Sequence, residues 1–286
     1  MKPSLVTIFG GSGFLGRHMI RRLAEQGLRI RVAVRRPNDA KYLQPLGGVG
    51  QIQFLQANLR NAESVIRAID GADAAINLVG ILHQTRKQSF DSVHVKGARN
   101  VAQACARAGI ERLVHVSAVG ADAESSSKYA RSKAAGEAAV SEAYPSATIL
   151  RPSIVFGAED NFFNRFATYA RIMPVLPLIG GGKTRFQPVY VGDVAQAAID
   201  AALKPGFAGE TYELGGPETF SFREIYELIL AETERSPILI PVPFWVMHMN
   251  AWFLQLLPNP ILTVDQIRLL KQDNVVDDGA KTLADF

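Results

Sequence analysis

Cysteines, runs of basic residues and long apolar segments are all scarce in this chain, and each shortage excludes a class of protein. The 286 residues include one cysteine, Cys105, which excludes an internal disulfide framework and fits a reducing compartment. The five histidines show no spacing that would hold a metal ion, with or without that cysteine. We therefore expect neither a disulfide-stabilised secreted domain nor a metal centre.

The charges are balanced and scattered. Lys and Arg number 31 against 27 Asp and Glu, and no basic run is long enough to predict nucleic-acid binding. No signal peptide is predicted at the N-terminus, and the most apolar stretch is shorter than the ~20 residues of a membrane-spanning helix. With 48% hydrophobic residues the chain can bury a large core, so we expect a cytoplasmic globular protein.

Strands and helices alternate through the first half of the chain. Apolar strands are predicted at 5–9, 30–34, 51–56, 74–79, 113–117 and 148–151, and amphipathic helices at 14–26, 62–70, 95–108 and 132–143. Near-continuously apolar strands separated by such helices are typical of a parallel sheet covered on both faces. The predicted class is therefore α/β, a Rossmann-type doubly wound parallel sheet.

The second half is predicted to form a smaller, mostly C-terminal substrate lobe. We assign 1–157 to the dinucleotide-binding domain and 158–286 to the lobe, with about 186–215 returning to the sheet. That returning part holds a short strand and a helix within 189–203 and another strand at 211–214. From residue 222 onwards the chain is predicted to be mainly helical.

The sequence GGSGFLG lies between the first predicted strand and the first predicted helix. Glycines there let the backbone turn tightly and approach a pyrophosphate, which the helix N-terminus attracts through its free N–H groups. An ordinary glycine turn is the alternative, but this strand-to-helix position favours a dinucleotide. The predicted loop residues are Gly10, Gly11, Ser12, Gly13, Phe14, Leu15 and Gly16.

Arg35 and Arg36 follow the second strand, where binders of the unphosphorylated dinucleotide carry an acid for the ribose hydroxyls. An arginine there suits a 2′-phosphate through its charge and its planar fork of donors. NADP(H) is therefore favoured as the cofactor, with NAD(H) left open, and the alternative is a solvated pair of surface arginines.

Two further strand ends complete the predicted cofactor pocket. An adenine ring would lie against Leu59 at the end of the third strand, and Gly80 would let the backbone after the fourth strand approach the cofactor. Either could instead be a plain strand-end turn. The predicted residues are Asn58, Leu59, Leu78, Val79 and Gly80.

Three side chains with useful chemistry fall near the carboxyl edge of the predicted sheet. Ser117 ends the fifth strand, and Tyr129 and Lys133 lie four residues apart on one face of the next helix. We predict hydride transfer between nicotinamide and an unidentified carbonyl or alcohol substrate. Tyr129 would exchange the proton of the substrate oxygen, Lys133 would lower the pKa of that phenol and hold the nicotinamide ribose, and Ser117 would bond the substrate oxygen.

The order of these motifs carries a family resemblance. GGSGFLG, NLVG, the serine-tipped strand, YARSK, RPSIVFG and QPVYVGDVA resemble the short-chain dehydrogenase/reductase superfamily, in its extended or atypical, epimerase/dehydratase-like branch. The resemblance implies that Pro152, Ser153, Ile154 and Val155 run past the nicotinamide carboxamide. It also implies a homodimer that pairs alanine-rich helices at 97–108 and 134–143 across a two-fold axis.

A narrower resemblance covers most of the chain through about residue 203. SSSKYARSKAAGE, RPSIVFGAEDNFFNRFA and QPVYVGDVA are similar to the NADPH-binding accessory subunit of respiratory complex I and its bacterial relatives. That family implies a tightly bound, structural dinucleotide. Three functions stay open: an NADP-dependent oxidoreductase or epimerase-like enzyme, a non-catalytic accessory or assembly subunit of NADH:ubiquinone oxidoreductase, and a regulator that senses nucleotide redox state.

Residues 241–262, PVPFWVMHMNAWFLQLLPNPIL, are nearly all apolar and include both tryptophans. This segment has three interpretations: a helix over the substrate crevice, a patch that meets a membrane or a protein partner, and ordinary core. The first two would suit a lipid-like or quinone-like substrate. The second would place the protein peripherally on the inner membrane face.

Overall fold

A parallel sheet of seven strands forms the centre of the computed structural model, which describes residues 4–257, 260 and 262–286. Six strands come from the first half of the chain: β1 (Leu5–Phe9), β2 (Arg29–Val34), β3 (Ile52–Gln56), β4 (Ala74–Asn77), β5 (Arg112–Val116) and β6 (Thr148–Pro152). The strand at Thr211–Leu214 joins the edge beside β6, and the order continues β5-β4-β1-β2-β3. The strand order reverses between β1 and β4, where such sheets hold their ligands.

Helices cover both faces of the sheet, which confirms the α/β prediction. They are α1 (Phe14–Glu25), α2 (Ala62–Ile69), α3 (Lys96–Ala108) and α4 (Lys128–Ala143). Alternate residues of each strand enter one of two apolar clusters, so that Val6 and Ile8 face one layer of helices and Phe9 the other. A 3₁₀ segment at Pro37–Leu46, which the sequence did not predict, connects β2 to β3.

After β6, residues 191–203 and 211–214 pack against or within the central sheet, and most of the rest of the chain surrounds a second core. This part of the chain forms short strands and helices. They are β7 (Val155–Phe156), α5 (Phe163–Ile172), β8 (Val175–Ile179), β9 (Arg185–Phe186), β10 (Val189–Tyr190), α6 (Val191–Leu203), β11 (Thr211–Leu214), β12 (Phe220–Ser221), α7 (Phe222–Thr233), β13 (Ile238–Val242), α8 (Phe244–Leu254) and α9 (Val264–Leu269). Aromatic rings fill this core; those of Phe222 and Tyr226 lie 4.9 Å apart between centroids.

The mainly helical prediction after residue 222 is wrong at β13, which pairs in parallel with β8. A run of five apolar residues has no period that separates a strand from a buried helix, and the pairing partner lies about sixty residues earlier in the chain. The predicted strand at Val189 is present, but as β10 it pairs with β7 outside the central sheet.

The apolar segment 241–262 forms β13 residues and helix α8, except that residues 258, 259 and 261 lie outside the described part of the chain. Met247 and Ala251 pack into the lobe core. The opposite face of α8 is exposed: 68% of Trp245, 55% of Trp252 and 62% of Phe253 is accessible to solvent. Ordinary core is therefore the wrong interpretation of this face. No helix in the described residues is long and apolar enough to cross a membrane.

Candidate functional site

The glycine loop forms a tight turn that opens α1. Gly10 has a φ of +77°, and a Cβ placed on Gly16 would lie 2.3 Å from the carbonyl oxygen of Gly11, so the first turn of α1 packs directly on the loop backbone. Gly13 is the N-cap of α1 and, having no side chain, makes no capping hydrogen bond to the helix. The first N–H groups of α1 therefore lack a side-chain cap, which fits a phosphate ligand.

Arg35 and Arg36 are both exposed beyond the end of β2. Arg36 Nη1 lies 3.3 Å from Asp39 Oδ2, in a pair whose side chains are 81% and 65% exposed. Nearby, the Oη of Tyr42 donates to the carbonyl oxygen of Ser12 in the glycine loop at 2.7 Å. The 3₁₀ segment after β2 is thereby fastened to the loop, and the two arginines precede it.

The strand ends after β3 and β4 take different roles. Leu59 is buried, and its Cβ would lie 3.0 Å from a Cβ placed on Gly97, so this side chain is occupied by packing on α3. Gly80 is exposed, and a Cβ placed there would lie 3.7 Å from both His94 Nε2 and Lys133 Nζ. The structure therefore brings Gly80, and not the Leu59 side chain, beside the predicted catalytic residues.

Asn58, Leu78 and Val79 shape these two turns through backbone and side-chain contacts. The side chain of Asn58 accepts from the backbone N–H of Arg60 at 3.2 Å, and Leu78 N–H donates to Phe9 O at 3.0 Å. Val79 Cγ2 would lie 3.0 Å from a Cβ placed on Gly10. The turn after β4 thus packs on the glycine loop across the switch point of the sheet.

Ser117 and Lys133 meet at the carboxyl end of β5. Lys133 is 5% exposed, and its Nζ donates to the carbonyl oxygen of Val116 at 3.2 Å. Ser117 is 4% exposed, and its Oγ has no hydrogen-bond partner. Buried hydroxyls are nearly always paired, so an unpaired one next to a buried lysine fits a ligand that supplies the missing partner.

The protonation behaviour of the pair differs from the sequence expectation. Burial raises the pKa of Tyr129 to about 12. Burial also lowers the pKa of Lys133 to about 8, although the nearby Glu137 carboxylate opposes that fall. The expected lowering of the phenol pKa by Lys133 is therefore wrong for this structure, because desolvation of the phenol dominates.

His94 is a site residue that sequence reasoning assessed only as a metal ligand. Ile81 N–H donates to His94 Nε2 at 3.0 Å, and Ser132 Oγ donates to the carbonyl oxygen of Tyr129 at 2.7 Å. Since Nε2 accepts, Nδ1 carries the ring proton and donates to Ser132 Oγ at 2.8 Å. Burial, followed by the charge of Lys133, lowers the pKa of His94 to about 3 and keeps it neutral.

A buried ion-pair network lies one helical turn beyond Lys133. Arg151 Nη2 is 2.7 Å from Glu137 Oε2, and Arg151 Nη1 is 3.2 Å from Glu213 Oε1. These carboxylates raise the pKa of Arg151 above its ordinary value, chiefly through the hydrogen bonds of Glu137. The network joins α4 to β6 and β11 and fixes the helix that carries Lys133 against the sheet.

The segment after β6 is tied to the C-terminal part of the chain. Asn274 Oδ1 accepts from Ser153 Oγ at 2.7 Å and from Ile154 N–H at 3.1 Å. The carbonyl oxygen of Pro152 accepts from Val119 N–H at 3.0 Å, and Val155 continues into β7. Asn274 thus holds Ser153 and Ile154, two of the four residues expected beside the nicotinamide, and it was not predictable from the sequence because it lies 120 residues after Ile154.

Comparison with models of known protein families classifies the chain. The model described as "NAD dependent epimerase/dehydratase family" matches residues 6–215. The chain belongs to this family. Membership of this family supports the binding of a nicotinamide dinucleotide, and the glycine loop and the unpaired Ser117 hydroxyl fit such a ligand.

Relatives and solved structures agree with this assignment. The mitochondrial NADH dehydrogenase [ubiquinone] 1 alpha subcomplex subunit 9 of Arabidopsis thaliana is 37% identical over 99% of this chain and 73% of its own length. The ceramide reductase of Caulobacter vibrioides is 36% identical over 70% of this chain and 62% of its own length. The NAD-bound dTDP-glucose 4,6-dehydratase DesIV of Streptomyces venezuelae shares the fold, with a TM-score of 0.69, 24% identity and 84% of each chain covered.

Proposed function

We propose that this protein holds NADP(H) as a tightly bound structural cofactor and serves as an accessory subunit of a respiratory NADH:ubiquinone oxidoreductase. The observation that carries the proposal is the 37% identity to the Arabidopsis subunit over 99% of the chain, since it includes the C-terminal lobe as well as the dinucleotide fold. The unpaired Ser117 hydroxyl and the buried Lys133 would each gain a partner from a bound dinucleotide whether or not a substrate is turned over.

The preference for NADP(H) over NAD(H) rests on the two arginines after β2. Arg35 is exposed, and Arg36 pairs with Asp39 only at the surface, where an ion pair contributes little. A 2′-phosphate offers the guanidinium groups a stronger, charge-assisted partner. The fixed 3₁₀ segment that follows would keep both arginines near the glycine loop.

The exposed face of α8 is proposed to pack on another subunit of that complex. Trp245, Met249, Trp252 and Phe253 follow one another at helical spacing, and residues 236–257 contain no Asp, Glu, Lys or Arg. Interface cores are rich in aromatic residues and methionine and poor in charge, whereas helices that lie on lipid surfaces carry a basic face. The composition therefore favours an apolar protein surface as the partner of this face, and we propose a peripheral position at the inner membrane face.

The first test uses the purified protein without added cofactor. We expect the absorption spectrum to show one reduced nicotinamide per chain. This cofactor should stay bound during gel filtration and should not be oxidised by added carbonyl compounds. A cofactor that exchanges freely would favour a redox sensor and contradict the structural role.

The second test uses tagged protein expressed in its own organism. After mild detergent extraction it should comigrate with NADH:ubiquinone oxidoreductase activity on a native gel. The double variant Trp245→Ser, Trp252→Ser should lose comigration and keep its cofactor, while Val49→Ser, at a fully exposed loop position, should keep both. A wild-type protein that migrates separately from the oxidoreductase activity would contradict the proposal. Flotation of the protein with protein-free lipid vesicles would assign the exposed face to lipid instead.

The runner-up function is a reductase, which the unpaired Ser117 hydroxyl and the likeness to a ceramide reductase favour. A reduced nicotinamide would supply the hydride. Tyr129 would give its phenolic proton to the substrate oxygen, which Ser117 Oγ would hold by donating a hydrogen bond. Consumption of NADPH with a carbonyl substrate, abolished in Tyr129→Phe without loss of NADPH binding, would support this function over the first.

A further inference from the structure

The first turn of α4, which carries Tyr129, is capped from the far end of the chain. Lys128 N–H donates to Asp265 Oδ1 at 2.7 Å, and Tyr129 N–H donates to Asp265 Oδ2 at 2.9 Å. Asp265 lies in the first turn of α9, in the C-terminal lobe. A carboxylate at a helix N-terminus satisfies free N–H groups and interacts favourably with the helix dipole.

Ser127 supplies the other half of this cap. Its Oγ accepts from Ala130 N–H at 3.3 Å, and its carbonyl oxygen accepts from Arg131 N–H at 3.1 Å. The same hydroxyl donates its proton to Asp265 Oδ2 at 2.9 Å, so Asp265 also orients the serine. All four N–H groups at the start of α4 are therefore satisfied, two of them by Asp265 directly.

Helix α9 itself is anchored to the exposed α8 and to the loop before α4. Ile267 is fully buried in the lobe core together with Met247 and Ala251 of α8. One turn after Asp265, Arg268 Nη1 donates to the carbonyl oxygen of Ser126 at 3.3 Å. A movement of α9 away from α4 would therefore release the backbone on which Tyr129 is held.

We propose that Asp265 is a positioning residue of the dinucleotide site. By fixing the start of α4 it sets the place of Tyr129 and, one turn later on the same face, of Lys133. Dinucleotide binding and docking of α9 onto α4 then strengthen each other, because coupling between two sites is reciprocal. The inference rests on dinucleotide binding and is independent of membership in a respiratory complex.

Two variants and one control test this role. Asp265→Ala removes both acceptors, and Asp265→Asn keeps one oxygen for Lys128 N–H but cannot accept from Tyr129 N–H. Ser221→Ala removes the cap of α7 in the same lobe, where Ser221 Oγ accepts from Glu224 N–H at 3.2 Å without touching α4. The cofactor is stripped from each folded protein, and NADPH is then titrated by fluorescence.

We expect NADPH affinity to fall about tenfold in Asp265→Ala, because the start of α4 loses the acceptor of two N–H groups, and by a smaller factor in Asp265→Asn. Ser221→Ala should bind as the wild type does. Hydrogen exchange supplies a readout beyond affinity: bound NADPH should slow exchange at 264–270 of the wild type, and Asp265→Ala should speed it at 126–131.

Different outcomes separate this inference from the proposed function. A wild-type protein that does not bind NADPH overturns the proposed cofactor role itself. Wild-type binding with an unchanged affinity in Asp265→Asn and Asp265→Ala overturns the role of Asp265 alone. An equal loss of NADPH affinity in Ser221→Ala would mean that the effect of the Asp265 substitutions comes from the general stability of the lobe. Unchanged hydrogen exchange at 264–270 on NADPH binding would refute the coupling. If Asp265→Ala does not fold, Asp265→Asn decides.

Discussion

Replacing Lys133 by methionine is expected to stabilise the dinucleotide-free protein at pH 7. Lys133 is 5% exposed, and burial lowers its pKa from 10.5 to about 8, a fall that corresponds to ~3 kcal/mol of unfavourable free energy for the charged form. Methionine fills a similar volume in a helix without that charge. Loss of the hydrogen bond to Val116 O removes about 1 kcal/mol of the gain, so the net increase should be ~2 kcal/mol.

The pH dependence gives this prediction its sign. The pKa of Lys133 is lower in the folded state than its ordinary value, so between about pH 8 and 10.5 the unfolded chain binds a proton that the folded chain has lost. Wild-type stability therefore gains a contribution as pH rises through this window, and Lys133→Met lacks it. The advantage of the variant should be largest below pH 8 and should vanish towards pH 10.5.

Urea unfolding followed by circular dichroism at pH 7, 9 and 10 measures both effects. Lys128→Met, at an exposed position of the same helix, is the control and should change the free energy of unfolding by less than about 0.5 kcal/mol. NADPH binding should weaken in Lys133→Met alone. A variant less stable than the wild type at pH 7, or an advantage independent of pH, would refute the reasoning from burial.

Three further substitutions test other parts of the site. Gly16→Ala should cost about 3 kcal/mol or more and abolish dinucleotide binding, because its Cβ would overlap the loop backbone. Gly48→Ala, whose Cβ would lie an ordinary 3.6 Å from Gln51 Oε1, should change neither the free energy of unfolding nor dinucleotide binding. Ser117→Ala should leave thermal stability unchanged or raise it, since its Oγ has no partner; a loss above about 1 kcal/mol would contradict this. Replacing Arg35 and Arg36 together by alanine should weaken NADPH at least about tenfold and spare NADH, and equal losses in titrations would refute the NADP preference.

The parts of the fold that were predictable from sequence are those set by neighbouring residues. The glycine loop and α1 follow from glycines placed between an apolar strand and an amphipathic helix, and both lie where they were expected. Helix α4 begins four residues before the predicted start at residue 132, so that Tyr129 and Lys133 both lie on one face of it. Ser127, a good N-cap residue, was the available signal.

Contacts between distant parts of the chain were not predictable in this way. Asp265 and Asn274 act on residues more than 100 positions earlier, and nothing in their neighbouring sequence marks them as site residues. The predicted lowering of the Tyr129 pKa was wrong for the same reason. Spacing predicted a lysine near the phenol, but the burial that raises the phenol pKa comes from packing against Phe90 and His94.

The electrostatics of the site favour a retained ligand. Burial disfavours the charged forms of both Tyr129 and Lys133, so at neutral pH the phenol keeps its proton and the ammonium lacks solvent. We expect a polar, anionic dinucleotide to supply hydrogen-bond acceptors to that ammonium and a partner to Ser117 Oγ, and each of these gains would accrue on binding alone. These gains do not depend on proton transfer from Tyr129, so we expect the dinucleotide to be retained whether or not a substrate is turned over.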